Sequence, residues 1–224
     1  MRIWIEKWMA IHAILLLCST IYFLLTFQIE AVGLSFILSI AVLYFLKLLN
    51  NKSINFIFEA ANLVTGLRWF MIATLTCLIL PNFQIAVIAF LVLILDGLDG
   101  YFARKFKTQS GFGEYLDMET DAFFVLVLTC LLYLYGLFGI WIISLGMLRY
   151  LYIIAMLFVK SPKQKEERVF QARLIAVILM STLIACFILP LKIAGPAIFI
   201  SAILVFYSFG RSFWRVLSQN FIRD

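Results

Sequence analysis

The sequence predicts an all-α polytopic membrane bundle, and three observations carry that prediction. Of 224 residues, 65% are hydrophobic and 13% charged, against roughly 45–50% apolar and about 25% charged in soluble domains. The hydrophobic residues gather into eight runs, at about 9–27, 31–49, 63–80, 84–104, 115–136, 139–159, 171–189 and 194–214. Those lengths are near the roughly 20 residues with which a helix crosses a hydrocarbon core of about 30 Å. The runs are apolar all round, without the alternation of a barrel strand, and helix is then the way to satisfy a spanning backbone in lipid.

Taken in order, the first run has no small-residue cleavage site and a second run follows closely, so it reads as a retained helix and not as a secretory leader. Between the second and third runs, Ser53–Ala60 (SINFIFEA) is short and mixed, either an amphipathic turn on the membrane surface or a plain loop. Topology follows from the basic residues. Arg2 and Lys7 precede the first run, and Lys47 and Lys52 follow the second. Arg104, Lys105 and Lys107 follow the fourth, Lys160, Lys163, Lys165 and Arg168 follow the sixth, and Arg211, Arg215 and Arg223 close the chain. The alternate turns, near Gln28–Glu30, Pro81–Gln84, Gly136–Gly139 and Pro190–Pro196, hold one basic residue between them, Lys192. The positive-inside rule therefore predicts that both termini and the 104–112 connection are cytoplasmic. The same placement accounts for the net charge of +6 without nucleic acid. Cys18, Cys77, Cys130 and Cys186 lie inside apolar runs with neither a pairing pattern nor metal-ligand spacing, as small buried hydrophobes do.

Acidic residues are scarce, and six of the twelve fall between Asp96 and Asp121. Asp96 and Asp99 are spaced i, i+3 near the end of the fourth run. Asp117 and Asp121 are spaced i, i+4 at the start of the fifth. Residues three and four apart share a helix face, so each helix offers two carboxylates and the short hairpin between brings the faces together. Charges at membrane depth are expensive and mark function. Hard cations such as Mg²⁺ take carboxylate and phosphate oxygens, and four aspartates suit two ions clamping an in-line displacement at phosphorus. Gly100, Ala103 and Gly113 leave room for a ligand against the backbone, and Arg104 offers a planar fork for phosphate. Glu6, Glu30, Glu59, Glu166, Glu167 and Asp224 read as solvated ends. Glu119 lies off the Asp117/Asp121 stripe and reads as peripheral. His12, the only histidine, sits in a span with no acidic neighbour in sequence and reads as a packed or interfacial residue.

From Asp96 to Asp121 the residues read Asp96, Asp99, Gly100, Ala103, Arg104, Gly113, Asp117 and Asp121. This resembles the signature of the CDP-alcohol phosphatidyltransferase family, D-x2-D-G-x2-A-R-x8-G-x3-D-x3-D, with every position present and no gap. Upstream, Asn62, Thr65 and Arg68 are similar to the N-x2-T-x2-R that opens the family's first core helix, with Ala61 where many members have proline. The resemblance covers about 60–215 and implies a six-helix transferase core. It implies that Asp96, Asp99 and Asp117 are metal ligands, that Asp121 is ligand or general base, and that Thr65, Gly100, Ala103, Arg104 and Gly113 line the CDP part of the donor. The implied reaction moves a phosphatidyl-type group from CDP-diacylglycerol to an alcohol and releases CMP, with two Mg²⁺ ions, or Mn²⁺, as cofactor.

Arg68, Arg149 and Arg173 lie inside or at the edge of spans and suggest a basic pocket for an anionic acceptor such as glycerol 3-phosphate or another phosphorylated polyol. Arg68 fits the phosphatidylglycerophosphate and phosphatidylinositol-phosphate type of member. Against that type, Tyr150 follows Arg149 where such members often carry an acid. The expected organisation is residues 1–59 as two added transmembrane helices with a connecting segment, 60–216 as the transferase core and 217–224 as a cytoplasmic tail. The added helices are read as packing or dimerisation elements, which leaves a homodimer open. Two other readings compete, a divalent-cation transporter and an inactive membrane scaffold. A transporter usually holds its site at the midplane on broken helices of related repeats. Here the acids lie toward one face on adjacent helices, and a scaffold would be expected to have lost a signature residue.

Overall fold

The computed structural model describes residues 2–50, 60–105, 111–158 and 170–221. Among these, every regular element is helical: α1 (Arg2–Thr26), α2 (Glu30–Asn50), α3 (Ala60–Cys77), α4 (Asn82–Lys105), α5 (Gly111–Leu134), α6 (Ile143–Phe158), α7 (Phe170–Ala185) and α8 (Leu191–Phe221), with a single 3-10 turn at Ile140–Ile142 before α6. The all-α expectation holds. Three stretches, Lys7–Thr26, Ile140–Leu157 and Leu191–Trp214, are long and apolar enough to cross a bilayer, and four shorter apolar stretches accompany them. The basic connections at 51–59, 106–110 and 159–169 lie outside the described residues, as does the Ser53–Ala60 segment up to the start of α3.

The four turns on the opposite side are closed by their own chemistry. Gly136, at φ +66°, ends α5. The Leu137 N–H bonds Leu132 O at 3.0 Å and the Gly136 N–H bonds Tyr133 O at 2.9 Å. This is the paired closure that a left-handed residue permits and that glycine adopts without strain. Pro81 and Pro190 open α4 and α8, their carbonyls accepting from Ile85 at 3.1 Å and Ala194 at 3.1 Å; proline costs nothing there because the first N–H groups of a helix have no partner. Phe27 carries the α1–α2 turn at φ 60°, with its ring stacked on Tyr133. The Tyr135 hydroxyl donates to Leu80 O at 2.6 Å, tying the α3–α4 turn to the end of α5.

α5 is the central helix. It packs against α2, α3, α6 and α7, and every residue from Ala122 to Leu132 is buried. A helical stretch apolar on all sides suits such enclosure. Contact with α6 is close because Gly146 has no side chain: a Cβ there would lie 2.7 Å from the Leu126 Cα. The outer helices instead display large apolar side chains, Leu25, Phe70 and Trp214 among the most exposed, as a lipid-facing surface requires. α1 and α2 are not peripheral. They pack on each other, α1 on α6, and α2 on α3 and α5, and the Phe36 ring of α2 stacks on Phe123 of α5 with centroids 3.8 Å apart.

Candidate active site

Asp96 sits on the second half of α4, and Asp117 and Asp121 lie one turn apart near the start of α5. One carboxylate oxygen from each of the three lies within 4.8 Å of the others. Arg68, from the middle of α3, fills the space among them. Its Nη1 is 3.0 Å from Asp96 and 3.1 Å from Asp117, and its Nη2 donates to Asp121 at 2.6 Å. Three converging carboxylates repel one another strongly at membrane depth, and a planar guanidinium with several donors can serve all three at once. The trio and Arg68 together keep a formal charge of −2, which favours cations.

Access differs sharply within this cluster. Arg68 is 1% exposed, whereas Asp96, Asp117 and Asp121 are 21%, 32% and 30% exposed. The guanidinium forms the floor, and the carboxylates have an open side through which a ligand can arrive. One further contact pins α3 to α5 beside them: Trp69 Nε1 donates to Thr120 Oγ1 at 2.8 Å, and that hydroxyl in turn donates to Leu116 O within α5 at 2.7 Å. Thr65 lies one turn before Arg68 on α3 and is buried. Gly113 lies one turn before Asp117 and is partly exposed. Asp99, Gly100, Ala103 and Arg104 follow Asp96 along α4, but their side chains lie outside the described residues.

The three arginines assigned to an acceptor pocket do not form one group. Arg68 is the floor of the carboxylate cluster. Arg173, exposed at the start of α7, is within electrostatic reach of Asp96. Arg149 meets Glu119 instead, its Nη2 donating to Oε1 at 2.6 Å. Glu119 is two residues from both Asp117 and Asp121, hence about 200° round the helix from each at about 100° per residue. It is 1% exposed and faces away from the cluster.

Around Glu119 lies a second set of polar residues that no spacing along the chain joins. His12 of α1 is fully buried, with Nε2 3.6 Å from Glu119 Oε2. So the histidine read as lacking an acidic partner has one, and the glutamate read as peripheral is buried. His12 Nδ1 lies 2.7 Å from Ser39 Oγ of α2, and Trp8 Nε1 donates to Ser39 O at 2.9 Å. One signal was available: lone ionisable residues in separate spans are expected to find each other inside the bundle. Which pairs with which depends on packing that no local spacing encodes.

A helical bundle with an apolar outer surface, and partly open aspartates from two consecutive helices over a buried guanidinium, has the form of a membrane protein with a polar site able to hold cations. The comparison with known families makes this particular: residues 58–211 match the CDP-alcohol phosphatidyltransferase family, and the chain belongs to it. It is a transferase of substituted phosphate groups in phospholipid biosynthesis, acting between a CDP-alcohol and an alcohol acceptor. The matched stretch begins just before α3 and ends in α8, so α1 and α2 lie wholly outside it. No curated protein and no solved structure shows a significant match to the chain. The family is typically dependent on divalent metal, and the oxygen-only donor set of Asp96, Asp117 and Asp121 fits a hard divalent cation.

Proposed function

We propose that the chain transfers a phosphatidyl group from CDP-diacylglycerol to a phosphorylated polyol, glycerol 3-phosphate first among them, with release of CMP. The observation that carries this reading is the convergence of Asp96, Asp117 and Asp121 over Arg68. Asp96, Asp99, Asp117 and Asp121 would hold two Mg²⁺ ions, with Mn²⁺ the next choice. Bound there, divalent cations supply charge neutralisation to the diphosphate and to the departing CMP phosphate. Arg68 holds the carboxylates in place from below. Thr65, Gly100, Ala103, Arg104 and Gly113 cradle the CDP moiety, the small residues letting it approach the backbone of α4 and α5.

In the reaction the acceptor oxygen forms a bond to the phosphatidyl phosphorus as the bond to the CMP oxygen breaks. Asp121 takes the hydroxyl proton. It is the member of the trio in shortest contact with Arg68, which orients it. Arg173 is assigned to the acceptor phosphate because it is exposed beside the cluster; Arg149 is not, because it is committed to Glu119. The acyl chains stay in the bilayer throughout. The eight helices are read as eight spans, residues 60–216 as the catalytic core, and the site and both termini as cytoplasmic, consistent with the distribution of Lys and Arg.

Asp121→Asn tests the assignment of the proton acceptor. Turnover should fall by about 10²–10⁴-fold, the range for a lost general base, while binding of Mn²⁺ and of CDP-diacylglycerol changes far less. Near-normal turnover in this variant would remove Asp121 from that role.

A further inference from the structure

The second polar centre lines up polar side chains from the two N-terminal helices to the catalytic helix. Glu119 holds Arg149 of α6 through Oε1 at 2.6 Å and faces His12 of α1 through Oε2 at 3.6 Å. His12 in turn meets Ser39 of α2 at 2.7 Å and stacks on Trp8 with ring centroids 4.7 Å apart. When the Ser39 hydroxyl donates to Nδ1, the histidine proton sits on Nε2 and is aimed at Glu119; the other tautomer would set a ring lone pair against a carboxylate. The 3.6 Å separation is that of neighbouring charges and dipoles and is too long for a direct hydrogen bond. His12, Ser39 and Glu119 are all buried.

From this arrangement we infer that His12, Ser39, Glu119 and Arg149 form a clamp that fixes the rotation of α5 and thereby the aim of Asp117 and Asp121. The inference rests on the proposed role of those aspartates as cation ligands. Glu119 is at their depth, about 3 Å along the axis from each, and on the opposite face. Elsewhere α5 has the Trp69–Thr120 hydrogen bond to α3 and otherwise mainly apolar packing, whose attraction carries no direction of its own. A group at a radius of about 5–6 Å moves by about 1 Å when the helix turns by roughly 10°. Functional constellations tolerate about 0.5 Å. The contacts to Arg68 on the open face must loosen as ligands compete for the same carboxylates, so the orientation then rests on the sealed face together with the Trp69–Thr120 bond. α1 and α2 are thus part of the site's support, and the four residues are positioning residues.

The test is Mn²⁺ binding, followed by electron paramagnetic resonance, to purified full-length protein in nanodiscs, with the thermal unfolding midpoint measured alongside. Glu119→Gln keeps the shape and removes the charge. His12→Asn keeps a polar atom near Ser39 and deletes Nε2. Each should weaken Mn²⁺ binding by about 10-fold, the lower end of what outer-shell partners contribute. The double variant should be no weaker than Glu119→Gln alone, since residues of one network are not additive. Affinities within twofold of native in both single variants, whatever the unfolding midpoint, would overturn the clamp and leave a purely structural centre. If Glu119→Gln does not fold, His12→Asn carries the same decision. A native protein that binds Mn²⁺ but releases no CMP would defeat the proposed reaction and leave the clamp to be judged by this titration. One that binds no Mn²⁺ would defeat both.

Discussion

On one face of α5, Asp117 and Asp121 meet Arg68; on the other, Glu119 meets Arg149. Both centres join a carboxylate to a guanidinium at the same depth in the bundle, yet they differ in what can reach them. The first keeps its guanidinium buried and its carboxylates 30–32% exposed on α5. The second reverses this, with the carboxylate 1% and the guanidinium side chain 22% exposed. A carboxylate open on one side can exchange part of its protein partner for a cation or a substrate. A carboxylate sealed on all sides cannot, and its loss leaves charge stranded. Residue type alone therefore does not separate a carboxylate open to ligands from an anchoring one. Access does, and here the periodicity of a single helix divides the two.

That comparison can be broken by substitution, and the largest effect is expected at the open centre. Asp117→Ala should lower CMP release by more than about 100-fold and raise the Mg²⁺ requirement together with the KM for CDP-diacylglycerol, a loss beyond that typical of an outer-shell partner. Its unfolding midpoint should hold, because Arg68 retains Asp96 and Asp121 and one repelling charge is gone. At the sealed centre the pattern inverts. Glu119→Ala breaks the Glu119–Arg149 pair and should cost about 3 kcal/mol of stability, the low end of the range for breaking a buried pair because Arg149 is partly exposed. Chemical denaturation in detergent would show it. Should Asp117→Ala unfold the protein and Glu119→Ala leave it intact, the two centres have been assigned the wrong way round.

Smaller effects sharpen the picture. Gly146→Ala pushes a methyl group against the α5 backbone at Leu126 and should destabilise by about 1–3 kcal/mol, as overpacking does; a shift of α6 would also disturb the Arg149 contact. Tyr135→Phe removes a hydroxyl bonded to Leu80 at the far end of α5. It should cost about 1 kcal/mol and leave kcat within twofold, because that end supports neither centre. A large loss of turnover there would mean that the far-side turn controls the site.

Much of this was legible in the sequence because it is local. The hydrophobic runs predict the helices and the gaps between them the turns, and the i, i+4 spacing of Asp117 and Asp121 predicts the face of α5 that meets Asp96. Arg68 was placed near the site by its motif but was assigned to an acceptor pocket. That it lies among the carboxylates depends on how α3 packs on α5, and its spacing along α3 does not report this. His12 and Glu119 were harder still. They are far apart in the chain, each looks isolated among its own neighbours, and only the packing of α1 on α6 and α2 on α5 closes the gap. Local periodicity predicts which residues share a face; it does not predict which faces meet.

The most direct measurement of the central claim is CMP release from CDP-diacylglycerol by the purified chain. It would be run with and without Mg²⁺ and offered glycerol 3-phosphate, inositol phosphate, serine and choline in turn. Release that requires Mg²⁺, is fastest with a phosphorylated polyol and stops when the metal is chelated is the predicted result. Absence of release with every acceptor, or release indifferent to chelation, would contradict the assignment of the open aspartate centre as a cation-dependent transferase site.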